Sequence, residues 1–188
     1  MNLVERAKNI LLTPKTEWPV VAGESDTLSS LLTSYVIPLA AIPAIAGLLS
    51  GLVIFPGAGT RFVAITAIIT YVSTILSYVI TTYAVDLLAT NFKSEKDLNK
   101  SAQLVAFSST ASWVAGILGI IPVIGAMAGF AGGIYSIYLM YLGVGPMKKT
   151  PEDSKVIYMV VVGVVLIATS MVVASILGMV LLTAGIMY

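Results

Sequence analysis

From Ser101 to Gly145 the chain carries no charged residue. About 20 residues of apolar helix cross the hydrocarbon of a bilayer, so this run is too long for one crossing and fits two helices joined by a short turn. Pro122, flanked by Gly119 and Gly125, marks the reversal. Three other apolar runs accompany it. The spans read as about 28–55, 62–89, 101–121, 124–144 and 156–186. With 58% hydrophobic and only 10% charged residues, against about 25% charged in an ordinary soluble domain, the chain has too little polar surface for water. The expected fold is an all-α integral membrane protein. A five-helix transmembrane bundle occupies 28–188, and 1–27 forms a cytoplasmic amphipathic segment.

The basic residues set the topology. Arg6, Lys8 and Lys15 precede the first span, Lys93, Lys96 and Lys100 follow the second, and Lys148, Lys149 and Lys155 follow the fourth. An odd count of five spans puts all nine on one face and leaves Arg61 alone on the other. The positive-inside bias makes the lysine face cytoplasmic. The N-terminus is then inside and the C-terminus outside the cell membrane. Merging spans three and four would put two lysine loops on opposite faces.

Residues 1–12 read as a short amphipathic helix. Leu3, Val4, Ala7, Ile10 and Leu11 share one face, and Glu5, Arg6, Lys8 and Asn9 the other. Pro14 ends it. Such a helix either lies in the membrane interface or packs on the bundle. It lacks the continuous apolar core of a cleavable signal. Ser25, Asp26 and Thr27 are candidate caps for span one, where Pro38 and Pro43 predict a kink.

Chemistry is narrowly bounded. With no cysteine and no histidine, disulfides, Cys/His metal or haem sites, and Ser-His or Cys-His nucleophile pairs are excluded. A net charge of +1 gives no field for nucleic acid. No phosphate loop, nucleophile elbow or pair of catalytic carboxylates appears, and Glu152 and Asp153 read as surface residues. No cofactor is expected.

Asp86 is the single acid inside a span. A carboxylate in hydrocarbon must face protein or water. It is either an ion or proton site, or an interfacial residue paired with Lys93 or Lys100. Span two carries a hydroxyl stripe, Thr66, Thr70, Ser73, Ser77 and Thr81, on one helical face. Span three adds Ser108, Ser109, Thr110 and Ser112, with Gln103 at its cytoplasmic end. Asp86, Thr81, Ser77 and Gln103 form the candidate polar site. The alternative role for the hydroxyls is helix-packing glue. Gly125, Gly129 and Gly133, with Gly132 beside them, and Gly47 with Gly51 are small-xxx-small faces for close helix contact. Tyr135, Tyr138 and Tyr141 lie in the cytoplasmic half of span four, and the last two suit an aromatic belt. Lys148, Lys149 and Lys155 form a loop that either serves as a topology signal only or touches anionic lipid.

Three stretches resemble the bacterial branch of the Yip membrane-protein family. One runs from Tyr135 through Tyr138-Leu139-Met140-Tyr141-Leu142-Gly143-Val144 to Pro146-Met147, Pro151-Glu152-Asp153-Ser154-Lys155 and Tyr158. Another is Gln103-Leu104-Val105-Ala106-Phe107-Ser108 followed by Ile120-Ile121-Pro122-Val123-Ile124-Gly125. The third is Ile10-Leu11-Leu12-Thr13-Pro14 with Trp18 after it. The resemblance implies five helices and a cytoplasmic N-terminus. Its eukaryotic members bind Rab-type GTPases in vesicle traffic, but this sequence lacks their long N-terminal region and Asp-Leu-Tyr-Gly-Pro motif. The expected role is therefore a non-enzymatic membrane protein that associates with itself, another membrane protein or lipid. The alternative is a small-solute or ion transporter using Asp86 and the hydroxyl stripe, with lipid scrambling a third reading.

Overall fold

The structure, a computed structural model, describes residues 2–54, 57 and 59–183. These residues form helices and no strand. The elements are α1 Leu3–Leu12, α2 Pro14–Ala22, α3 Leu28–Ile54, α4 Thr60–Phe92, α5 Leu98–Ile120, α6 Pro122–Lys148 and α7 Glu152–Thr183. Among the described residues, α3 to α6 are each long and apolar enough to cross a membrane. Phe55, the expected end of the first span, Pro56 and Ala58 after it, and Ile186, the expected end of the last span, lie outside the described residues.

Five of the helix starts have a local cause in the sequence. Asn2 caps α1 by accepting from Val4 N. α1 stops at Leu12, as expected before Pro14, and Pro14 also begins α2, where its fixed φ and missing N–H suit the first turn. Thr27 and Ser30 cap α3 reciprocally. The expected irregularity in that span is a π-helical turn at Leu32–Val36, just before Pro38. Asp97 caps α5 through the amides of Asn99 and Lys100. The reversal between α5 and α6 falls at Ile121, with Pro122 at the first position of α6.

The centre of the fold is α5, the least apolar of the four long helices and the most buried. It packs against α3, α4 and α6, and α1 also rests on it. Several of its polar residues bond to neighbouring elements, Ser101 to Asp86, Thr110 to Tyr35 and Ser112 to Ser136. Helix α7 lies along α4, burying Tyr158 and Val162, and the Tyr158 ring stacks on Phe92 at 4.9 Å.

Glycines set the closest approaches. A Cβ on Gly132 would lie 2.8 Å from Ala115 Cβ and 3.0 Å from Ala111 O, so α5 and α6 meet nearly backbone to backbone. Gly125 presses on the Gly119 backbone across the reversal, and Gly51 meets the Val63 side chain of α4. Gly47, Gly129 and Gly133 have open space where a side chain would stand. The expected Gly125/Gly129/Gly133 face is thus divided: the α5 contact is made by Gly132, and two of the three small residues look outward.

This division predicts an asymmetry. Gly132→Leu should destabilise the fold by about 1–3 kcal/mol or more through overpacking, measured as a lower unfolding midpoint in detergent. Gly129→Leu should leave that midpoint within about 0.5 kcal/mol of wild type.

Candidate functional site

Two polar centres hold the lysine-bearing ends of the helices together, and a third polar region opens farther along α4.

The first centre is a lysine with no solvent exposure. Lys148, the last residue of α6, places Nζ 3.2 Å from Asp86 Oδ1, 2.6 Å from Ser101 Oγ and 3.0 Å from Asp97 O. Ser101 Oγ is also 3.2 Å from Asp86 Oδ1 and 2.9 Å from Asp97 O. Three donors of one ammonium therefore join the ends of α4, α5 and α6. The chain beyond is pinned as well: Glu95 N donates to Lys148 O at 2.8 Å, and Ser94 and Thr150 hydroxyls lie 2.8 Å apart. Left-handed backbone at Lys93 and Lys149 turns these two loops. Lys149 then pairs with Glu95 at 2.6 Å on the exposed rim.

The partner of Asp86 is therefore neither Lys93 nor Lys100. Lys93 stands 3.9 Å from Asp153 at the surface. Lys100 donates to the carbonyls of Ala22 and Glu24 at 2.7 and 2.6 Å. Lys148, expected in the loop after span four, is instead the buried last residue of α6, and this removes it from any contact of that loop with anionic lipid. Asp86 and Lys148 are 62 residues apart, and their pairing arises only when α4 and α6 flank α5.

The second centre is Arg6, which the helical face pattern of α1 places outward. The structure buries it, paired with Glu17 and Glu24 and lying 5.5 Å above the Phe107 ring. The acids come from α2 and the segment after it. Around this pair Trp18 is buried against Gly143 and Leu104, and Tyr135 donates to Leu11 O at 2.7 Å. Gln103 belongs here too, with Nε2 3.4 Å from Glu24 O. The α1–α2 hairpin thus packs on the bundle, while Val4 and Leu12, both 70% exposed, point away from it.

The third region is a cavity of about 490 Å³ between α4, α5 and α6, touched by Leu166 of α7. Thr70, Ser73, Ser77 and Thr81 line it from α4, and Ser108 and Ser109 from α5, with Ser136 on α6. The two hydroxyl rows face each other across this space. Thr66 instead lines a smaller cavity of about 250 Å³ beside Gly47 and Gly51. Other hydroxyls join helices: Thr110 meets Tyr35 at 2.8 Å, and Ser112 meets Ser136 at 2.9 Å. Of the four candidate polar residues, Thr81 and Ser77 line the main cavity, Asp86 belongs to the Lys148 centre and Gln103 to the Arg6 centre.

Apolar helices long enough to span a bilayer, a buried hub helix and charges that are paired wherever they are buried define an all-helical membrane protein. The model of the Yip1 domain matches residues 8–174, and the chain belongs to that family. No curated protein and no solved structure matches it.

Lys148→Met should destabilise the protein by about 3–5 kcal/mol, because Asp86 would be left as an unpaired buried charge. The double variant Lys148→Met, Asp86→Leu should recover most of that loss. Thermal unfolding of the three proteins in one detergent checks both statements.

Proposed function

We propose that this Yip-family chain is a non-enzymatic, multi-pass protein of the bacterial inner membrane that works by lateral association. The partners are a second copy, another membrane protein, or lipid. Five spans, with α7 as the fifth, put the N-terminus in the cytoplasm and the C-terminus outside. The α1–α2 hairpin then lies at the cytoplasmic interface with Val4 and Leu12 toward the lipid.

The observation that carries the association reading is the outer face of α6. At Gly129 and Gly133 a side chain would meet nothing within 4 Å. Met127, Phe130 and Ile134 stand exposed around them. A groove of small residues flanked by large apolar ones lets a second helix approach closely. The non-enzymatic reading is supported by the lack of histidine and cysteine and by the commitment of Asp86 to Lys148. The nine basic residues support the orientation, since the segments bearing them meet at one end through Lys100 and Lys148. Ion transport draws less from the geometry, because Asp86 stands outside the hydroxyl-lined cavity.

Gly129→Leu is the direct test. The variant should fold as wild type and lose association, seen as a smaller species in detergent sizing and as loss of crosslinked dimers in membranes. A Gly129→Leu protein with unchanged sizing and crosslinking removes the main support. In sealed vesicles, the double variant Lys148→Met, Asp86→Leu, which leaves no unpaired buried charge, should show the same proton flux as wild type, and a flux lost in the folded double variant would favour transport instead.

A further inference from the structure

The main cavity is polar yet uncharged, and the disposition of its protons indicates what it would hold. Thr70 donates to Thr66 O at 2.9 Å, Ser73 to Ile69 O at 2.6 Å, Thr74 to Thr70 O at 2.8 Å and Thr81 to Ser77 O at 2.6 Å. A hydroxyl has one proton and two lone pairs. With these four protons committed to the helix backbone, the α4 wall turns acceptor capacity toward the space, and Ser77 beside them adds a hydroxyl whose proton is not so committed. On the opposite wall Ser108 is 3% exposed and its hydroxyl has no partner in the protein. A buried hydroxyl without a partner is costly, so this atom points to a group arriving from outside the chain.

Charge and shape narrow the choice. No Asp, Glu, Lys or Arg lines the cavity, so an ion entering it would have no counter-charge in a medium of low dielectric. Its volume of about 490 Å³ lies within the roughly 300–1,000 Å³ of ordinary small-molecule sites. Ile137, Met140 and Leu166 make the remaining wall apolar. Thr70 and Ile137 are exposed on the outer faces of α4 and α6. The opening between them therefore faces the level of the acyl chains and not the aqueous ends of the helices.

We propose that this cavity binds the uncharged polyol head of a neutral lipid of the glycerol type. Such a head brings hydroxyl donors on adjacent carbons to a row of lone pairs and an oxygen that accepts from Ser108. Its acyl chain leaves between Thr70 and Ile137, past Leu166. The site is independent of the outer glycine face, so either can fail without the other.

The probe is a monoacylglycerol with a dibrominated acyl chain, added to the full chain in phosphatidylcholine nanodiscs. Trp113 lines the cavity, whereas Trp18 is buried in the N-terminal hairpin. Saturable quenching of tryptophan fluorescence that is lost in Trp113→Phe is expected. Unlabelled monoacylglycerol should displace the probe, and the dibrominated fatty acid should not saturate. Removing two hydroxyls in Ser77→Ala, Ser108→Ala should weaken binding about tenfold. Ser109→Leu, which fills the same wall, should abolish it and serves if the double variant does not fold. Displacement by free glycerol as effectively as by monoacylglycerol would reassign the site to a soluble polyol and overturn the lipid head. Quenching that rises without saturation, is matched by the fatty acid, or is unchanged in a folded double variant would overturn the site itself.

Discussion

A charge removed from water must find an opposite charge or leave the membrane, and the ammonium of Lys148 meets this condition inside the protein. It has no solvent exposure and is held by Asp86, Ser101 and the Asp97 carbonyl. Because these partners come from α4, the start of α5 and the loop before it, the lysine can be satisfied only when three helices end at the same level. A buried pair of this kind adds little net stability over an apolar replacement. What it does specify is register, since sliding α6 by one turn, about 5.4 Å, would strand both charges. Arg6 repeats the device one layer out, tying α1 to Glu17 and Glu24 beside the Phe107 ring.

With the helix ends fixed in this way, the middle of the bundle is free to be loose where α5 is not glycine-packed. On one side Gly132 brings α5 and α6 into near-backbone contact. On the other, α4 stands off far enough to leave the hydroxyl-lined cavity. The same residue type therefore serves two ends. Thr110 and Ser112 are used up in joining helices, while Ser108 keeps a hydroxyl with no protein partner. Tight contact and open space are two results of one helix packing on unlike neighbours.

Much of the framework was legible from periodicity and charge. The uncharged run from Ser101 to Gly145 required a reversal, and the structure turns at Ile121 and Pro122. Thr27 caps α3 as its side chain and position suggest. Pro14 stops α1 as expected, but a proline that stops one helix also suits the first turn of the next, and the α2 that follows directly was not read from the sequence. That omission hid the Arg6 centre, because α2 and the segment after it supply the acids. A face pattern sorts residues by polarity and cannot see a buried charge whose partner lies on another element. The Asp86–Lys148 pair was hidden for the same reason. Their shared position at the lysine-rich end was the available signal, but pairing across 62 residues follows from helix packing and not from local spacing. Gly129 and Gly132 differ by less than one turn, so only the packing could decide which of them meets α5.

The proposed topology threads apolar helices through lipid with their paired charges gathered at one end. The chain has no native cysteine, which permits single-cysteine labelling at exposed positions. Cysteines placed at Lys8, Lys96 and Glu152 in sealed, oriented vesicles should react with a membrane-impermeant maleimide from one side, and a cysteine at Arg61 from the other. Labelling of Arg61 from the same side as the first three, or a split among those three, would contradict it.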